Sequence, residues 1–523
     1  MLPLLILELA LKVVVDPVDL LRLLPEMFVV DWIEALGTMD SRNRVNSIKK
    51  AMAVLEQFNI LKFKMDGNNR IGYSVDHEAV TALLKAPRCG MLLQKLHGKG
   101  LEIFLCLLNN GRLSCSEVIR KMVHNSGSAD EPNKIKELFD RLVEAQFLVR
   151  CPTVDHTHHG CPHFQTTSEV LYVLPEKIAT NFSSTDEDVN SRKRKHADSD
   201  PDSEILWRVN FQRFDRYFRD EIIQEMVVPQ NWTGDEKTSK TCRQTLLALF
   251  KANETRSGNM VATSSNPISV YDIAKCSKDH NLGVEKTDID WALRVLVEDA
   301  RGVIRKAGDS GGGLYVIDFD RAIRLSCQHH VECLIREQLD TKAVRVFRLL
   351  QSKGYLEEEQ VEKMTMMSPK ETRELLFAMQ EEGYVFTKPI GKTQDFAPAR
   401  TFYLYYVDLT KIVRGVMEYT CKSLRNLILR RKQEFLENRW LIEKRSTMQN
   451  IIDETEADPD KDEATKQEEI ADVRETYMPA ANMAKYKKFE DARDLLDKAE
   501  AETERVLLTL RLHLLLSKQP SPL

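Results

Sequence analysis

The chain has 523 residues, 42% hydrophobic and 30% charged, with a formal net charge of −5 at pH 7. That length suits about three or four domains, and the composition is that of soluble, largely helical material. The charge excludes a bulk polycation that coats nucleic acid, so any grip on phosphate must come from local basic faces.

The apolar opening, MLPLLILELALKVVV, has no positive leader and is interrupted by Glu8 and Lys12. A buried first helix is expected there, not a secretory signal. No run of about 20 apolar residues offers a membrane span. The 10 Cys are scattered without a paired framework, which points to reduced thiols in cytosol or nucleus.

Four times a helix ending in polar residues runs into a short apolar strand, and a second strand follows. The junctions are LEQFNILKF from Leu55, LVEAQFLV from Leu142, LVEDARGVI from Leu296 and MQEEGYVF from Met379. Their expected partner strands are IGYSV from Ile71, LYVL from Leu171, LYVIDF from Leu314 and TFYLYYV from Thr401. Each unit is a three-helix cluster closed by a β-hairpin, so the fold class is mainly α with small hairpins: tandem winged-helix modules.

In the first module a third helix is expected over Val45 to Phe58. In the second, Leu101, Phe104, Leu105 and Leu108 give helix one, stopped near Gly111; Ser114 to Val123 and Pro132 to Ala145 supply the next two. In the third, Thr287 is placed to cap a helix through Ile289, Leu293 and Leu296. In the fourth, Val344, Phe347 and Leu350 mark helix one, and Val361 and Met364 mark helix two. Ser368-Pro369 is an N-cap followed by a first helical residue, with Leu375, Leu376 and Met379 facing inward and Gly383 ending the helix.

The module boundaries are 1–85 (its start atypical), 86–180, 205–325 and 326–410. Between the second and third lies the charged linker 181–204; from Ser183 to Glu204 it is polar and lacks aromatic residues, and it is expected to stay disordered because it buries too little apolar surface to offset ordering entropy. Residues 411–520 change character. Met417, Cys421, Leu424, Ile428, Phe435 and Ile442 lie near a heptad seam broken by Arg431 and Asn438. An acidic tip from Asp453 and a second helical stretch, Ala480 to Ser517 with Leu495, Leu496, Val506, Leu507 and Leu510, complete an antiparallel helical coiled-coil hairpin.

Three motifs invite chemistry. GDSGGGLY, from Gly308, resembles the nucleophile segment of trypsin-like proteases, but here it joins two strands of a wing, where the glycines supply positive φ. Cys151, His156, His158, His159, Cys161 and His163 are competent zinc ligands without a common zinc spacing, so a solvated loop is expected and no metal is assigned. Arg192, Lys193, Arg194 and Lys195 form a short basic block suited to nuclear import. No acid–base pair or phosphate loop emerges, and no cofactor is expected.

Basic residues decorate the third helices and wings. Arg42, Arg44, Lys49 and Lys50 in the first module, and Lys286, Arg294, Arg301, Arg305 and Lys306 in the third, are the candidate DNA contacts, since a third helix enters the groove and the wing touches backbone. The fourth module's third helix carries Glu371, Glu374, Glu381 and Glu382, which repel phosphate, so that helix is expected to face protein.

GDSGGGLYVIDFDRAI (Gly308 to Ile323) and DFAPARTFYLYYVDL (Asp395 to Leu409) closely resemble the third-largest subunit family of eukaryotic RNA polymerase III, which is related to the alpha chain of transcription factor IIE. ILWRVNFQRFDRYFRDEII, LNNGRLSCSEVIRKM and the helix around Ser423 to Arg430 support the match, which runs from about Ser41 onward. Residues 1–40 depart from the family's opening helices. The resemblance implies a nuclear, non-catalytic subunit of a three-member subcomplex beside the polymerase clamp. Its implied partners are two subcomplex subunits, the largest subunit, the initiation factor and promoter DNA. The rival expectations are a free-standing winged-helix transcription regulator and a scaffold that binds only protein.

Overall fold

The structure is a computed structural model that describes residues 52–65, 71–126, 132–155, 163–165, 171–174, 202–229, 236–254, 262–391, 401–457 and 463–518. It divides into two compact units, Met1–Phe218 and Arg219–Leu523.

In the first unit, a helix ending at residue 57 leads into β1 (Leu61–Met65), which pairs antiparallel with β2 (Ile71–Val75), Leu61 opposite Val75. This is the expected first hairpin. Helices α1 (His77–Leu84), α2 (Ala86–His97) and α3 (Gly100–Asn110) follow. The Gln57 side-chain amide donates to the carbonyls of Asn110 and Arg112 at 3.0 and 2.8 Å, docking the early helix on the end of α3. Gly111 makes this approach possible: a Cβ there would stand 2.4 Å from the Gln57 carbonyl oxygen.

The second module consists of α3, α4 (Cys115–Ser126) and α5 (Pro132–Glu144). Ser114 and Glu117 form a reciprocal cap on α4: the Ser114 amide donates to Glu117 Oε2, and the Glu117 amide to Ser114 Oγ. Ile103, Phe104 and Leu107 are buried, while Leu105 is exposed, so the inner face of α3 is turned slightly from the expected one. After α5 comes β3 (Leu148–Arg150), then a small hairpin of β4 (Thr153–Asp155) and β5 (His163–Gln165).

The expected partner strand LYVL is corrected. Residues 171–174 form a turn and coil, and β3 instead pairs with β6 (Trp207–Val209), Arg150 opposite Trp207. Trp207 is fully buried, its ring edge-on to Phe139 at 5.7 Å, and it bridges Leu113 through both backbone groups. The end of the expected linker is also ordered. Asp202 is buried and accepts from the Ser116 amide and hydroxyl at 2.9 and 2.6 Å. The rest of that segment, and the first 51 residues, lie outside the described residues. Helix α6 (Phe211–Val227) follows β6 and runs on past Phe218.

The second unit holds the third and fourth modules and the hairpin. Helices α7 (Glu236–Glu254), α8 (Val270–Asp279) and α9 (Lys286–Glu298) pack together with a three-stranded sheet ordered β7 (Ile268–Ser269), β9 (Leu314–Ile317), β8 (Ile304–Gly308). Ile289, Leu293 and Leu296 are buried as expected. The N-cap is Glu285, not Thr287. The β8–β9 connection carries Gly311, Gly312 and Gly313 at φ 62, 82 and 113, the positive values expected of the glycine run.

Asp318 then caps α10 (Phe319–Gln338), accepting from the Arg321 amide at 3.0 Å. The fourth module comprises α11 (Thr341–Lys353), α12 (Glu358–Thr365) and α13 (Pro369–Glu381), closed by β10 (Phe386–Gly391) and β11 (Thr401–Tyr406) with Phe386 opposite Tyr406. Ser368 caps α13 as expected, and Phe347, Leu350, Val361, Leu376 and Met379 form its core.

Asp408 repeats the strand–Asp–helix device at the start of α14 (Leu409–Glu437). Helices α15 (Arg439–Ala457) and α16 (Glu463–Tyr477) pack on one another, and α17 (Ala480–Leu516) returns along α14 and α10. The seam is rotated from the expected one. Val413, Val416, Leu424 and Ile428 are buried, whereas Phe435 and Leu495 are exposed. Arg431, expected as a polar break, reaches Glu500 at 3.3 Å and Asp497 at 3.6 Å across the seam. Asn438 caps α14, its side chain donating to the Glu434 carbonyl.

Candidate nucleic-acid and protein interfaces

In the third module, α9 and the β8–β9 wing stand where a winged helix meets its target. Lys286 lies over the exposed Tyr271 ring, 4.0 Å from its centroid. Arg305 on β8 pairs with Asp318 at 2.9 Å, and Lys306 with Asp309, a contact that raises the lysine pKa and lowers that of the aspartate. Arg301 is held more tightly. It bonds Asp299 at 2.8 Å and donates to the last carbonyls of α6, at Met226 and Val227. Arg294 is exposed and makes no hydrogen bond or ion pair among the described residues. It shares a cavity of about 250 Å³ with Asp290, Glu298, Lys306 and Tyr315.

These contacts separate the cations by role. Cations at a helix C-terminus satisfy carbonyls that would otherwise lack a partner. Arg301→Ala is therefore expected to lower the urea midpoint of the chain by the equivalent of about 2 kcal/mol, while Arg294→Ala leaves it unchanged within about 0.5 kcal/mol. Equal midpoints for the two variants would contradict the assignment.

The other sequence candidates are not brought into view. Arg42, Arg44, Lys49, Lys50 and the block Arg192, Lys193, Arg194, Lys195 lie outside the described residues. So do His156, His158, His159 and Cys161. Cys151 is buried, which pushes its thiol pKa up and favours the neutral form over the thiolate a metal needs. Among the described residues no cluster of His, Cys, Asp and Glu is arranged to hold a metal ion. Ser310 is exposed in the turn between β8 and β9.

The fourth module presents a different surface. Arg373 pairs with Glu358 at 2.9 Å, Lys342 with Glu371, and Lys363 and Lys370 stand 3.9 Å from Glu359 and Glu374. Met364 at the end of α12, Met366 in the turn after it and Phe377 on α13 are also exposed. The sequence reading did not single out Met366 or Phe377. Their signal was the helical wheel: the buried side of α13 is Thr372, Leu376 and Met379, which leaves Phe377 on the outer face.

Comparison with known proteins agrees with this architecture. Residues 137–325 match the family model described as RNA polymerase III subunit RPC82, and residues 331–407 match that of the POLR3C C-terminal winged-helix domain. The chain is 30% identical over 438 residues, covering 79% of itself and 80% of the relative, to "DNA-directed RNA polymerase III subunit RPC3" of Rattus norvegicus. The protein of that name from Homo sapiens is 29% identical over 439 residues, with coverage of 79% and 80%. The one from Danio rerio is 30% identical over 467 residues, with coverage of 81% and 85%.

Proposed function

Since this chain belongs to the RPC3 family of RNA polymerase III subunits, we propose that its tandem winged helices and helical hairpin act inside the polymerase as docking surfaces, with selected modules gripping promoter DNA. It is a non-catalytic subunit, and its partners include other subunits of that polymerase. The finer partners are two subcomplex subunits, the clamp of the largest subunit and the initiation factor. The working compartment is the nucleus, with Arg192 to Lys195 as the import signal.

The observation that carries the reading is the run of winged modules matching the family across most of the chain. In the DNA-gripping role, Arg294 is the strongest of the third-module candidates, because its charge is not already spent on a neighbour. Lys286, Arg305 and Lys306 would have to exchange an internal partner for phosphate, and Arg301 would have to leave α6. Arg42, Arg44, Lys49 and Lys50 are the corresponding candidates in the first module. A purely protein-binding scaffold is favoured by the internal pairing of Arg301, Arg305 and Lys306.

Affinity purification of the tagged full-length chain should recover the other polymerase III subunits, and photo-crosslinking from position 294 in the assembled enzyme should reach promoter DNA. The DNA contact should weaken steeply between about 50 and 200 mM salt, as counterion release becomes less favourable. Recovery of the polymerase without a DNA crosslink would favour the scaffold. Failure to recover polymerase subunits would overturn the whole assignment.

A further inference from the structure

We propose that the helix-turn-helix face of the fourth module, α12, its turn and α13, is an acidic apolar knob that seats in a Lys/Arg-rimmed apolar pocket of another polymerase subunit. The proposal rests on the polymerase assignment above and names the chemistry of one partner.

The apolar part is unusual for a free surface. Met366 is 92% exposed, Phe377 69% and Met364 51%. Met366 also closes α12 in the left-handed conformation, at φ 55 and ψ 42, where Gly or Asn is normally found. A methionine there is disfavoured twice, by its backbone and by its hydration. A position that folding alone would not fill with Met is one that a contact outside the chain can explain. Large exposed aromatic and Met side chains are the residues that anchor protein interfaces.

The charge selects the occupant. Residues 357–382 carry eight acidic and three basic side chains, a net −5. All three bases have acidic partners within the module: Lys363 with Glu359, Lys370 with Glu374, and Arg373 with Glu358. Glu362, Glu381 and Glu382 have no ion pair among the described residues. Such a face repels phosphate, so the third helix of this winged module does not enter a DNA groove. It also repels its own copy, because a two-fold contact would set acids against acids. What remains complementary is an apolar depression edged by Lys and Arg.

The test uses the full-length chain in the assembled polymerase. A photo-crosslinking amino acid at position 377 should react with one other subunit, at an apolar segment flanked by Lys or Arg. Met366→Asn combined with Phe377→Ser should weaken association with that subunit by roughly tenfold or more, with the unfolding midpoint of the free chain unchanged or raised. Glu381→Lys with Glu382→Lys should weaken it too, chiefly at low salt. A crosslink to DNA, to a second copy of the chain or to nothing would overturn the proposal, as would wild-type association of the Met366/Phe377 variant. If the unaltered chain does not enter the polymerase at all, both this inference and the functional reading fall. If it enters and only the variants behave as wild type, the inference alone falls.

Discussion

Trp207→Ala is expected to destabilise the first unit by about 4 kcal/mol, the usual cost of deleting a buried aromatic side chain. Trp207 is fully buried and packs edge-on against Phe139, itself fully buried on α5. Its backbone is doubly bonded to Leu113, ahead of α4, and its strand closes on Leu148–Arg150. One side chain therefore stands at the meeting of two helices and the small sheet that its strand forms with β3. The indole Nε1–H has no hydrogen-bond partner among the described residues, so removing it carries no penalty. Trp207→Phe should accordingly lose less than half as much. Urea unfolding followed through the first unit should show a lower midpoint for the alanine variant at unchanged slope. A loss under about 1 kcal/mol would show that the site collapses around the cavity.

The second large effect is a dependence on acid. Burial, with His329 and Arg505 nearby, lowers the His330 pKa from 6.5 to about 4. The folded state thus holds a neutral imidazole on α10, the helix that packs against both α11 and α17. The unfolded chain takes up its proton first as pH falls through about 6.5. Stability is therefore intact above that value and declines down to about pH 4, below which both states are protonated and this contribution is flat. The full loss is on the order of 3 kcal/mol. His330→Gln should remove that slope, so the wild-type and variant stability curves converge or cross as the solution is acidified from pH 7 to 4. Parallel curves over that interval would rule His330 out as the source.

The parts of this fold that could be read from the chain are those governed by local periodicity. The Leu61 and Ile71 strands, the Phe386 and Thr401 strands and the Ser368 cap each depend on a few neighbouring residues. The strand–Asp–helix junctions at Asp318 and Asp408 lie inside the two segments that carried the family resemblance. The errors came where distance along the chain gave no guide. LYVL has the composition of a strand and follows soon after β3, yet the pairing goes to WRV, beyond a long polar stretch. In the helical hairpin, Phe435 and Leu495 satisfy a heptad pattern, but the packing face is set by contact with α10 as well as by the opposing helix. Among the candidate site residues, the chain supplied their charge but not their occupancy. Nothing in the sequence around Arg301 indicates that its guanidinium binds carbonyls of a helix more than 70 positions away.

The pairing of β3 with β6 has a topological consequence. The long polar stretch between them leaves the second module's sheet and returns to it, so it is an insertion into a domain and not a tether between two. Proteolysis between residues 174 and 202 would cut the polypeptide without parting the pieces. The Trp207 strand, the Asp202–Ser116 bonds and the Leu113 bridge would still hold the nicked halves together. That stretch can thus lengthen, shorten or accept modification over evolutionary time with little effect on how the flanking segments meet, because closing a longer loop costs only a logarithmic increment of entropy.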